Sequence, residues 1–145
     1  MQVREIMTDR PACCSPETSM RDAAKLMAEC DCGEIPVVDE RGHLIGVVTD
    51  RDIACRGVSQ GKDALTPVRE VMSSPAVTAK PDMSLDECCR LLEEKQIRRI
   101  PVIDGGGKVC GIVSQADIAL NASEHETAEL LRDVSRPTAE AAQTQ

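Results

Sequence analysis

Two pairs of side chains in this chain have types and spacing that suit chemistry. Thr49 stands three residues ahead of Asp52, and Ser114 stands three residues ahead of Asp117. Each pair ends a similar run, Gly46-Val47-Val48-Thr49-Asp50-Arg51-Asp52-Ile53 in one case and Gly111-Ile112-Val113-Ser114-Gln115-Ala116-Asp117-Ile118 in the other. A hydroxyl followed three residues on by a carboxylate, behind a buried strand, reads as a capping box at a helix start. The same helix start, with backbone N–H groups that lack partners, also suits an anion. On these residues alone both readings stand.

The other reactive side chains point to less. Eight cysteines include Cys13-Cys14, Cys30-x-Cys32 and Cys88-Cys89, but no pair has C-x₂-C spacing, and His43 and His125 lie far from any cysteine pair. No metal site is expected from that pattern, and a structural disulfide does not suit a cytosolic chain. Neither histidine sits beside a nucleophile in a recognisable arrangement. No P-loop or dinucleotide fingerprint is present, and Gly105-Gly106-Gly107 reads as a hairpin turn. The expectation is a protein without catalytic activity.

The elements that must position these groups come as a duplication. Sliding the chain by 65 residues aligns 3–54 with 68–119 without a gap, and eighteen of the 52 pairs are identical. So long an ungapped register means two copies of one supersecondary unit. In each, a short strand near Ala12–Cys14 (Ala76–Ala79) is closed by Pro16 (Pro81). A helix capped by Ser19 (Ser84) follows, with Met20, Ala23, Ala24 and Met27, or Leu85, Cys88, Cys89 and Leu92, at i, i+3, i+4 and i+7. A strand over 35–39 (100–104), a turn at 40–42 (105–107), a returning strand and the capped helix complete it.

The fold class is therefore α+β: two β-α-β-β-α half-domains, each too small to stand alone, packed through their sheets with pseudo-twofold symmetry. The boundaries are 1–57 for the first copy, 58–67 for a linker punctuated by Gly61 and Pro67, 68–122 for the second, and 123–145 for a tail. In the tail, Ser123 and Glu126 read as a capping box for a short helix with Ala128, Leu131 and Val134 on one side. Residues 137–145 read as disordered. The repeat also explains most cysteines: Cys14, Cys32, Cys55, Cys88, Cys89 and Cys110 align with Ala79, Ile97, Leu120, Ala23, Ala24 and Ile45, so they read as small core hydrophobes. Cys13 and Cys30, aligned with Thr78 and Lys95, remain as exposed, redox-active candidates.

Composition narrows the function classes. A net charge of −8 opposes sequence-independent nucleic-acid binding, and with no Phe, Tyr or Trp there is no aromatic platform for single strands. No apolar run is long enough to span a membrane, and the N-terminus lacks the apolar core of a signal peptide, so the expected location is cytoplasmic.

The Val3-Arg4-Glu5-Ile6-Met7 opener (repeated at 68–72), the Ile-Pro-Val strands at 35–37 and 100–102, and the paired junctions together resemble the cystathionine β-synthase (CBS) domain. The two copies resemble a tandem CBS pair, or Bateman module, over nearly the whole chain. That resemblance implies two clefts that bind adenosyl ligands such as AMP, ADP, ATP, NAD or S-adenosylmethionine, with no cofactor required. Thr49 and Ser114 would hold phosphate, and Asp52 and Asp117 would accept from ribose hydroxyls. Ile35, Pro36, Val37, Ile100, Pro101 and Val102 would line the adenine slots, closed by Pro11–Cys14 and Pro75–Ala79. Arg98 and Arg99 sit where relatives place phosphate-binding cations. The first copy has Gly33 and Glu34 there, with Arg51 and Arg56 as possible compensation. The Asp117 cleft is thus expected to bind better than the Asp52 cleft. A disc-like homodimer and an effector protein in trans are the implied partners. The competing readings are a structural or interaction protein with empty clefts, and a thiol-based redox-responsive protein.

Overall fold

The computed structural model describes residues 1–121 and 131–135. Helix α1 (Met20–Cys30) starts where Ser19 Oγ accepts from Asp22 N at 3.1 Å, and α3 (Leu85–Lys95) where Ser84 Oγ accepts from Glu87 N at 3.1 Å. Each ends on a left-handed residue, Asp31 at φ 51° and Gln96 at φ 53°. The next N–H then bonds back into the last turn, Cys32 to Met27 O and Ile97 to Leu92 O. The expected apolar stripes are buried with one exception: Ala24 is exposed, although its counterpart Cys89 is buried. The core around α3 also contains Val134, which extends it beyond its counterpart.

Strands β2 (Glu34–Val38) and β3 (Leu44–Thr49) form one hairpin, and β4 (Arg99–Ile103) and β5 (Val109–Ser114) the other. Their registers are the same after the 65-residue shift: Ile35 faces Val48 and Ile100 faces Val113, with an irregularity after Val37 and after Val102. The expected strands before the helices shrink to single parallel bridges, Cys14 to Val37 and Ala79 to Val102. The halves meet about a pseudo-twofold axis, marked by reciprocal bonds from Leu44 N to Gly107 O and from Val109 N to Gly42 O.

The openers of the two copies are exchanged. Val3 N bonds Met83 O and Arg4 N bonds Pro81 O, while Val68 N bonds Thr18 O and Arg69 N bonds Pro16 O. Val3 lies in the core of the second copy, and Val68 and Val71 lie in the core of the first. Strand β1 (Thr8–Asp9) pairs with β5, giving the order β1-β5-β4, and Ser73 pairs in the same way with Val47. Gly46 is required at that contact, since a Cβ there would stand 2.5 Å from Ser73 O.

After Thr49 the chain turns through α2 (Asp50–Asp52), a wide π turn over Ile53–Gly57 and a 3₁₀ turn over Val58–Gln60. Helix α4 (Gln115–Asn121) holds the equivalent place in the second copy. Of the cysteines expected in apolar slots, Cys14, Cys88 and Cys89 are buried, and Cys32 and Cys110 pack half-buried against the cores. Cys55 is exposed, as is its counterpart Leu120, because this face of the last helix turns outward. Cys30 is exposed as expected, whereas Cys13 is half-buried with its thiol toward Pro11 O. In the tail, Val134 is buried and Leu131 exposed; Ser123, Glu126, Ala128 and the 137–145 segment lie outside the described residues.

Candidate functional site

Both strand-to-helix junctions carry the reciprocal bonds of a capping box. In the first, Asp52 N donates to Thr49 Oγ1 at 2.9 Å and Thr49 N donates to Asp52 Oδ2 at 3.0 Å. In the second, Asp117 N donates to Ser114 Oγ at 3.1 Å and Ser114 N donates to Asp117 Oδ2 at 2.8 Å. The structural reading of these residues therefore holds twice over. What differs is the remainder of each carboxylate.

Asp52 is buried, and protein groups surround it. The Ser73 hydroxyl lies 3.3 and 3.4 Å from its two oxygens, and Arg56 Nε stands 3.8 Å from Oδ1. Exchange of the openers produces this arrangement, because it brings Ser73 from the second copy to the first junction. The counterpart of Ser73 is Thr8, which lies exposed near the second junction. Asp117 is only half-buried, and its Oδ1 has no protein hydrogen bond among the described residues. Carboxylates of the same sequence position thus have different surroundings, one contacted by Ser73 and Arg56 and one open.

Asp117 and Ser114 open onto a cleft of about 460 Å³ built from both copies. Thr8, Arg10, Pro11 and Ala12 form one wall, the turn Cys30-Asp31-Cys32 with Glu34 another, and Arg99, Ile112 and Ala116 complete it. Of the segments expected to close the clefts, only Pro11 and Ala12 line this one, and Cys13, Cys14 and Pro75–Ala79 do not; Arg99 reaches the cleft. Arg98 faces a neighbouring open groove of about 520 Å³, with Met27, Gly33 and Asp50. Ile35, Val37, Ile100 and Val102 point into the two cores, Pro36 and Pro101 are buried beside them, and none of the six lines the Asp117 cleft. Three consecutive buried residues mean that both faces of each strand are covered. The strand ends, Glu34 and Arg99, reach the cleft in their place.

Glu34, expected beside the Asp52 junction, therefore lines the Asp117 cleft. Its Oε2 is buried without a hydrogen-bond partner. Burial pushes its carboxyl up to about 7, with Arg99 pulling down and Asp52 pushing up against that. Cys30 and Cys32 also went unforeseen at this wall: their counterparts are Lys95 and Ile97, so the repeat carried no signal for them. Among the described residues no group of three or more His, Cys, Asp or Glu side chains is arranged to hold a metal, and no helix is long and apolar enough to cross a membrane.

Two copies of one small α/β unit, interlocked by exchanged openers about a pseudo-twofold axis, make this a tandem-repeat pair with a cleft at its second strand-to-helix junction. Residues 3–56 and 68–124 each match the CBS domain family, and the chain belongs to it. It is 45% identical over 126 residues to the CBS domain-containing protein YhcV of Bacillus subtilis, covering 87% of this chain and 89% of that one. A crystal structure of Hypoxic Response Protein I with two coordinated zinc ions is similar at TM-score 0.78 and 32% identity, over 85% of this chain and 100% of that one. CBSX2 in complex with AMP is similar at TM-score 0.73 and 29% identity, over 82% and 93%. A CBS domain pair in complex with 5′-methylthioadenosine and S-adenosyl-L-methionine is similar at TM-score 0.76 and 29% identity, over 83% and 94%.

Proposed function

We propose that this chain is a non-catalytic regulatory module that takes an adenosyl ligand in the Asp117 cleft and responds by a change of shape or of partner. The observation that carries the reading is the open carboxylate of Asp117 in a cleft large enough for a nucleoside. Asp117 accepts from the ribose hydroxyls, Ser114 and the start of α4 face a 5′ phosphate, and Arg99 supplies the cation. The adenosyl ligands of two similar structures support the same class. The Asp52 junction is the weaker site, because Ser73 and Arg56 already satisfy its carboxylate. Val58, Leu65 and Leu120 are exposed apolar side chains through which a second copy or an effector protein would dock.

Calorimetric titration with AMP tests the reading. Asp117→Asn keeps an acceptor for Ser114 N and loses the charge. A hydrogen bond to a charged group contributes about 1.5–3 kcal/mol, so affinity should fall tenfold or more. Asp52→Asn should change it less than about threefold. Equal losses from both variants, or no binding of AMP or 5′-methylthioadenosine by the unmodified chain, would refute it.

A further inference from the structure

The adenosyl reading leaves one chemically reactive part of the cleft unused, the turn Cys30-Asp31-Cys32. Cys30 is the last residue of α1 and is exposed; Cys32 is half-buried, and both line the cleft. Asp31 between them is left-handed at φ 51°, ψ 50°. A residue with helical dihedrals of either hand brings its two neighbours' Cα atoms to about 5.4 Å, from the radius and rise of the helix. That lies inside the range of about 4.4–6.8 Å spanned by disulfides. The Cys32 thiol donates weakly to Glu34 O at 3.7 Å, a bond it can give up. Its surroundings place Cys30 and Arg99 close by: burial raises its pKa, the bond to Glu34 O lowers it, the Cys30 thiol raises it and Arg99 lowers it.

We propose that Cys30 and Cys32 are a dithiol modification site that closes reversibly to a disulfide on the wall of the Asp117 cleft. The oxidant is a small-molecule disulfide such as oxidised glutathione. The exposed Cys30 thiolate attacks one of its sulfurs, forming a mixed disulfide and expelling one glutathione thiolate. The Cys32 thiolate then attacks Cys30 Sγ, forming the intramolecular S–S bond and expelling the second. Two protein thiols are oxidised, one external disulfide is reduced to two thiols, and the two protein protons pass to the departing thiolates. Closure swings the Cys32 sulfur away from Glu34 O toward the cleft mouth. The site stands on the turn geometry and does not depend on which ligand the cleft takes.

The test uses the full chain in defined mixtures of reduced and oxidised glutathione, then alkylation and digestion with trypsin. Cleavage after Lys25 and Arg41 isolates Cys30 and Cys32 as the only cysteines of one peptide, residues 26–41. The expected product is that peptide unalkylated and lighter by two hydrogens, about 2 Da, restored by dithiothreitol. Cys32→Ser should instead leave a glutathione adduct on Cys30, which shows that the attacking thiol is competent even where closure is blocked. Full alkylation of both thiols in oxidised glutathione, or a cross-link from this peptide to Cys13, would overturn the proposal.

Discussion

Glu34 offers a direct measure of how the cleft handles charge. Its carboxyl is pushed from an ordinary 4.5 up to about 7, chiefly by burial, so the folded chain holds a proton that the unfolded chain releases. Between pH 4.5 and 7 the native state binds more protons, and stability falls as pH rises through that window. Below 4.5 both states are protonated and nothing is lost; above 7 the full cost of the buried charge applies. At 1.36 kcal/mol per pH unit the ceiling is about 3 kcal/mol, reduced by whatever water reaches the cleft. Glu34→Gln keeps the shape and removes the titration. Urea unfolding should therefore show the variant close to the unmodified chain at pH 4.5 and more stable by about 2–3 kcal/mol at pH 8. If the proposed ligand site holds, the same variant should bind AMP more tightly at pH 8, because an ionised Glu34 lines the cleft that would take the phosphate. A stability difference that is the same at both pH values would refute the assignment of Glu34 as a buried, titrating group.

Two further predictions compare aligned positions of the two copies. Gly46→Ala places a Cβ against the Ser73 carbonyl and threatens the paired bonds Val47 N to Ser73 O and Ser73 N to Val47 O, so it should cost about 2–3 kcal/mol in urea unfolding. Gly111→Ala meets the half-buried Met7 side chain, which can swing aside, and should cost about 1 kcal/mol; equal costs would contradict the contrast between a backbone obstacle at Gly46 and a side-chain obstacle at Gly111. Ser73→Ala removes a hydroxyl from Asp52 and should cost about 1 kcal/mol, whereas Thr8→Ala at the exposed counterpart should stay within about 0.5 kcal/mol, both by thermal or urea unfolding. A Thr8 cost as large as that of Ser73 would mean that the Asp117 carboxylate is closed by protein too.

Much of the fold was legible in the chain. The repeat set the hairpin registers, Ser19 and Ser84 marked their helices, and the hydroxyl–carboxylate pairs marked both capping boxes. The packing partner of each opener was not legible, because Val3-Arg4-Glu5 fits either core equally well as a pattern. Only long-range bonds such as Val3 N to Met83 O decide between them. The error about Glu34 followed from this. Treating each cleft as the property of one copy puts Glu34 with Asp52, whereas the twofold relation carries it to the wall that holds Arg99 and Asp117. Ile-Pro-Val was legible as strand, but whether its side chains face a ligand or a core depends on what covers each face, which is tertiary information.

The mixed origin of the Asp117 cleft bears on how a binding event could be transmitted. A ligand shifts a conformational equilibrium only by the difference in its affinity for the two states. A cleft built within one copy would hold its ligand equally well however the copies were placed, and binding there would report nothing about their arrangement. Here the exchanged segment supplies Thr8 to Ala12, the first copy supplies Cys30 to Glu34, and the second supplies Arg99, Ser114 and Asp117. Any rotation of one copy on the other moves Glu34 relative to Arg99 and Asp117 and changes the charge presented to a ligand in this cleft. The fully bonded Asp52 junction lacks that freedom, since Ser73 and Arg56 already tie its carboxylate to the protein. The asymmetry between two nearly identical sequence motifs thus separates a junction whose carboxylate is bonded by the other copy from one whose carboxylate is left open, and it is on the open one that the proposed ligand site rests.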